Sequence, residues 1–71
     1  MTNTKEFRAA LARSEITAAE LAEKIGLSPQ SMSYKINNVR EFTLSELQKI
    51  REVLNLSPAD IILIFFTSDG E

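Results

Sequence analysis

Apolar residues recur three and four positions apart through most of this chain, and each such stretch is preceded by a residue able to cap a helix. Phe7 and Leu11 lie four apart on one face of a first helix, from about Lys5 to Arg13, with Thr4 as its cap. Thr17 followed by Glu20 is a capping box, and it opens a second helix carrying Leu21, Ala22 and Ile25 that ends at Gly26. Ser28 and Pro29 place a cap and then a proline where its missing N–H is harmless. The third helix then runs to about Asn37, with Met32 and Ile36 facing inward. Thr43 and Glu46 form a second capping box before Leu44, Leu47, Ile50, Val53 and Leu54. Ser57, Pro58 and Asp60 repeat the cap-proline-acid order for a fifth helix, from about Pro58 to Phe66. Only residues 38–42 read as a true loop, and residues 67–71 read as a polar, frayed tail. The expected fold is all-α: one compact five-helix domain spanning residues 1–71, with its core within about 4–66.

The stretch TAAELAEKIGLSPQSMSYKIN, residues 17–37, is two short helices hinged at Gly26, the residue suited to a left-handed turn. Polar side chains at Gln30, Ser31, Ser33, Tyr34 and Lys35 alternate with the inward apolar positions of the third helix. This is a helix-turn-helix pattern, in which a second helix is carried into the major groove of DNA.

Composition sharpens the reading by exclusion. The chain has 71 residues, no cysteine and no histidine, so disulfides, thiol chemistry, imidazole catalysis and cysteine or histidine metal sites are unavailable. No glycine-rich phosphate loop is present, and the carboxylates are accounted for by capping and solvation, so no enzyme, cofactor or metal is expected. The first fifteen residues are polar and charged rather than signal-like, and the longest apolar run, residues 61–66, is far short of the roughly 20 needed to span a bilayer. A soluble cytoplasmic protein is expected.

The net charge of −2 weighs against nucleic acid when taken alone. Its distribution reverses part of that weight. Between Lys24 and Arg40 there are three cations, Lys24, Lys35 and Arg40, and no acid.

ELAEKIGLSPQSMSYKIN, followed by FTLSELQKIREVLNLSPADI, resembles the lambda-repressor-like, Cro/CI-type helix-turn-helix family of phage and bacterial regulators. The likeness covers roughly Phe7 to Phe66, and its Tyr-Lys-Ile-Asn then Phe-Thr-Leu variant resembles small repressors of Gram-positive phages and prophages. It implies that the third helix enters the major groove while the second lies across the backbone. Gln30, Ser31 and Tyr34 then match positions that face bases, and Thr17 and Asn37 match positions that contact phosphate. Two departures stand out. Pro29 replaces a polar residue that often reads a base, and Lys35 stands where most relatives have an apolar core residue, which implies a rotated or locally distorted third helix.

On chemical grounds Gln30 can grip adenine through N6 and N7, and the Tyr34 ring can meet a thymine methyl while its hydroxyl reaches phosphate. Ser31 and Ser33 suit bases, phosphate or plain solvation equally. The expected base contacts are therefore Gln30, Ser31, Ser33 and Tyr34. The expected phosphate contacts are Thr17, Lys24, Lys35, Asn37, Asn38 and Arg40, with the alternative that Asn37 or Asn38 ends the helix in a left-handed conformation. Three cationic contacts imply a salt slope of about −2.7, at roughly −0.9 per phosphate.

The run Ile61-Ile62-Leu63-Ile64-Phe65-Phe66 is apolar on every side. A helix here is expected to turn Ile61, Ile62 and Phe65 inward and leave Leu63, Ile64 and Phe66 as a homodimer interface. Folding back over the first helix and pairing as a β-strand are the alternatives. Together these features predict a sequence-specific repressor that binds double-stranded operator DNA as a dimer. The competing reading is a protein-interaction module of the same fold that binds a partner repressor or antirepressor.

Overall fold

The computed structural model describes residues 1–66, and the expected frayed tail lies outside the described residues. Five helices follow one another: α1 (Thr4–Arg13), α2 (Ala18–Ile25), α3 (Pro29–Ile36), α4 (Leu44–Leu54) and α5 (Pro58–Phe65). No strand occurs among the described residues, so the apolar run at 61–65 is helical. The fold is all-α, as the capping signals predict.

Those signals act where the sequence puts them. Reciprocal capping boxes close at Thr17/Glu20, Thr43/Glu46 and Ser57/Asp60, and Ser28 Oγ accepts from Ser31 N at 3.1 Å ahead of Pro29. Gly26 ends α2 at φ 84°, with its N–H directed at the Ala22 and Glu23 carbonyls. A Cβ there meets nothing within 4 Å, so the demand for glycine is purely conformational.

The start of α1 departs from expectation. Asn3, not Thr4, is the cap: its Oδ1 accepts from Glu6 N at 3.1 Å, and helical geometry begins at Thr4. Thr4 uses its hydroxyl elsewhere, donating to the Ile36 carbonyl at 2.6 Å. Asn3 N also donates to the Ile64 carbonyl at 2.6 Å, so the N-terminal segment ties α1 to the ends of both α3 and α5.

The core gathers Phe7, Leu21, Met32, Ile36, Ile50 and Ile64, each essentially inaccessible to solvent, so every helix contributes. Phe7, Phe42 and Phe65 form a closed triad with centroids 5.7–5.8 Å apart, one pair stacked and two edge-to-face. Phe42 belongs to the segment read as loop, yet its ring is partly buried against the core. In α5 the inward pair is Ile64 and Phe65, while Ile62 is 56% exposed. The expected assignment of Ile62 inward and Ile64 outward is therefore corrected: α5 is rotated so that Ile64 is 1% exposed and unavailable to a partner.

Candidate nucleic-acid interface

α3 buries one stripe and displays the other. Met32, Lys35 and Ile36 face the protein, at spacings of three and four. Gln30, Ser33, Tyr34 and Asn37 fall at the complementary spacings; Gln30, Ser33 and Asn37 are exposed and Tyr34 is half-buried. The helix packs on α2, which in turn packs on α4, and the outward stripe is open to solvent at Gln30, Ser33 and Asn37.

The stripe is internally ordered. Gln30 Nε2 donates to the Tyr34 hydroxyl at 2.8 Å, and the Arg40 guanidinium lies 5.4 Å from the centre of the Tyr34 ring. Val39 N and Arg40 N both donate to the Tyr34 carbonyl, which bends the chain so that Arg40 returns over the ring. Asn37 Nδ2 donates to the Ser33 carbonyl at 3.0 Å, leaving its Oδ1 as an acceptor. Ser28 donates to Ser31 Oγ at 3.0 Å, so half-buried Ser31 completes the helix start and keeps its own proton to donate. Thr17 and Lys24 are both exposed on α2 or at its start. The Thr17 hydroxyl accepts from Glu20 N while Glu20 accepts from Thr17 N, so an acid already sits at this helix end.

Two expected phosphate contacts are placed elsewhere. Lys35 is buried, with its Nζ 2.6 Å from Glu46 Oε1 and 6.0 Å from the centre of the Phe42 ring. A lysine at an inward position must find a counter-charge, and Glu46 supplies it within an α3 that is α-helical throughout Pro29–Ile36. Asn38 is in the left-handed region at φ 65°, the alternative weighed from the sequence. Its Oδ1 accepts from Thr2 N at 2.8 Å and its Nδ2 donates to the Thr2 carbonyl at 2.9 Å, so both ends of the amide are occupied within the protein. Sequence reasoning missed Thr2, Asn3 and Phe42 as supports of the α3 end, and it saw Glu46 only as a cap. A charged side chain at an inward position of α3 was the available signal for Glu46.

An exposed polar helix face, hinged at a left-handed glycine to a second helix beneath it, is the geometry of a helix-turn-helix. The sequence matches the model for the Cro/C1-type HTH DNA-binding domain over residues 6–65. The chain belongs to this family. No curated protein matches the sequence. As a Cro/C1-type domain its partner is DNA, and α2 and α3 are its helix-turn-helix. Among the described residues there is no cluster of three or more acidic side chains fit to hold a metal ion, and no helix long and apolar enough to cross a membrane.

Proposed function

We propose that this Cro/C1-type chain acts as one domain in the cytoplasm as a sequence-specific transcriptional repressor of a phage or prophage. It binds a near-palindromic operator as a homodimer. The observation that carries the reading is the outward stripe of α3, where Gln30, Ser33, Tyr34 and Asn37 offer donors and acceptors at successive turns. With α3 in the major groove, Gln30 faces base edges, with Ser31, Ser33 and Tyr34 beside it. Arg40, Asn37, Lys24 and Thr17 face the flanking phosphates. Two such helices in a dimer would meet successive grooves about 34 Å apart. Repression follows from occupying the site that a polymerase needs.

The dimer surface is the exposed side of α5. Leu63 and Phe66 remain at the surface as expected, and Ile62 takes the place that Ile64 vacates. Ile62 and Phe66 stand one turn apart, and Phe66 borders a cleft of about 130 Å³ that it lines together with Met1, Phe42, Leu47 and Phe65.

With Lys35 sequestered, two cations remain near the interface, and the expected salt slope becomes about −1.8. The test is titration of duplex DNA at two or more salt concentrations. Salt-sensitive binding that Gln30→Ala and Tyr34→Ala weaken more on a selected site than on random duplex supports the regulator. The sequestration of Lys35 also favours the second reading, an interaction module that binds a partner repressor or antirepressor. Absence of salt-sensitive DNA binding selects it.

A further inference from the structure

The contact between Gln30 and Tyr34 constrains the one side chain best suited to reading a base. A glutamine amide carries two donors on Nε2 and an acceptor at Oε1, and a free one presents either end to DNA. Here one Nε2 proton is spent on the Tyr34 hydroxyl at 2.8 Å. What remains is one acceptor and one donor. Adenine shows the complementary pair in the major groove, the N6 donor beside the N7 acceptor, whereas guanine shows two acceptors, O6 and N7. A tethered Gln30 satisfies both groups of adenine and only one of guanine.

Tyr34 is itself held. The Arg40 guanidinium covers a face of its ring at 5.4 Å, and the backbone N–H groups of Val39 and Arg40 both bond its carbonyl. Arg40 occupies that face of the ring and the hydroxyl engages Gln30, so Tyr34 is held where it orients the residue that reads the base. Its hydroxyl accepts from Gln30 and keeps its own proton for a phosphate oxygen.

We infer that Tyr34 is a positioning residue that sets base preference, holding the Gln30 amide so that it accepts adenine and discriminates against guanine. This rests on the reading of α3 as the helix that meets the major groove.

The experiment starts from duplexes selected by the unmodified protein out of a randomised library. Each adenine in the selected site is then changed singly to guanine, and affinities are measured for the unmodified protein, Tyr34→Phe and Gln30→Ala. For the unmodified protein, one such change is expected to weaken binding roughly tenfold or more, the scale of a lost bidentate pair. Tyr34→Phe, which keeps the ring under Arg40, reduces that ratio to within about threefold, and Gln30→Ala abolishes it at the same position. Side-chain amide relaxation of Gln30 in the free protein supplies a readout independent of DNA: the group is ordered in the unmodified chain and mobile in Tyr34→Phe.

An unchanged adenine-to-guanine ratio in Tyr34→Phe overturns the inference, as does an equal loss on both duplexes, which marks Tyr34 as a backbone contact only. If all duplexes bind alike, base preference is absent and the inference fails while DNA binding stands. If no duplex binds at all, the functional reading itself falls.

Discussion

One carboxylate oxygen, Glu46 Oε1, accepts from Lys35 Nζ at 2.6 Å and from Thr43 N at 2.9 Å, so the helix offered to DNA and the first turn of α4 share an acceptor. The two side chains are 11% and 15% exposed, which makes the pair more than a surface contact. Removing the acid leaves a buried lysine without a counter-charge and opens the capping box. Glu46→Ala is therefore expected to cost about 3–5 kcal/mol, the scale for breaking a buried pair from one side. The double change Lys35→Met with Glu46→Gln restores most of that loss, since an apolar side chain fills the inward position with no charge to satisfy. Urea denaturation of the single and double variants measures both. A double variant no more stable than Glu46→Ala rules out this account.

Acidification attacks the same joint. Burial pushes the Glu46 carboxyl up, but hydrogen bonds from Lys35 and from the Thr43 backbone and hydroxyl, with the lysine charge, outweigh it and hold its pKa below the ordinary value. Glu20 and Asp60 are also lowered, chiefly by the backbone hydrogen bonds of Thr17 and Ser57. Each of these groups titrates lower in the folded chain than in the unfolded one. Their stabilisation is thus complete above the unfolded pKa and lost as pH falls through the folded value. The melting temperature should be nearly flat from pH 7 to about pH 5 and decline below about pH 4, with Glu46→Gln showing a shallower decline. Melting curves across that range check it, and a midpoint that rises on acidification contradicts it.

Asn38 combines a left-handed backbone with a two-point clasp on Thr2, and substitution separates the two contributions. Asn38→Gly keeps the backbone conformation and loses both hydrogen bonds, for an expected cost of about 1–2 kcal/mol. Asn38→Ala loses the bonds and also strains φ, adding roughly 1 kcal/mol. Equal stability of the two variants in urea would show that the φ at this turn is unstrained.

Local signals wrote most of the fold legibly. Capping boxes, prolines at first helical positions and Gly26 act within four residues of themselves, so Thr17, Ser28, Thr43 and Ser57 could be read directly as helix starts. Thr4 was read as the first cap, but Asn3 takes that place, while the Thr4 hydroxyl bonds Ile36, thirty-two residues away. The outward positions of α3 came from the family resemblance together with the helical period, but the fate of Lys35 depended on a partner eleven positions on. The run at 61–66 is apolar on all sides, so period gives no phase, and a turn of about 60° that keeps Ile61 and Phe65 inward exchanges Ile62 for Ile64. Phe42 was hidden by its loop, where packing rather than periodicity turns a ring inward.

That corrected phase of α5 yields the test of the dimer. Phe66 is 68% exposed and Ile62 56%, on a domain whose remaining core is closed. Replacing either by a charged residue removes apolar surface from the proposed interface without touching Ile64 or Phe65 beneath it. Phe66→Asp and Ile62→Lys should each shift a concentration-dependent dimer toward monomer in sedimentation while leaving the melting temperature of the monomer within a few degrees, as expected for surface substitutions. Operator affinity then falls far more than affinity for a single half-site, because the half-site needs only one copy of α3. A chain that sediments as monomer at every micromolar concentration, before any substitution, removes the dimer from the proposal and leaves α3 to act alone.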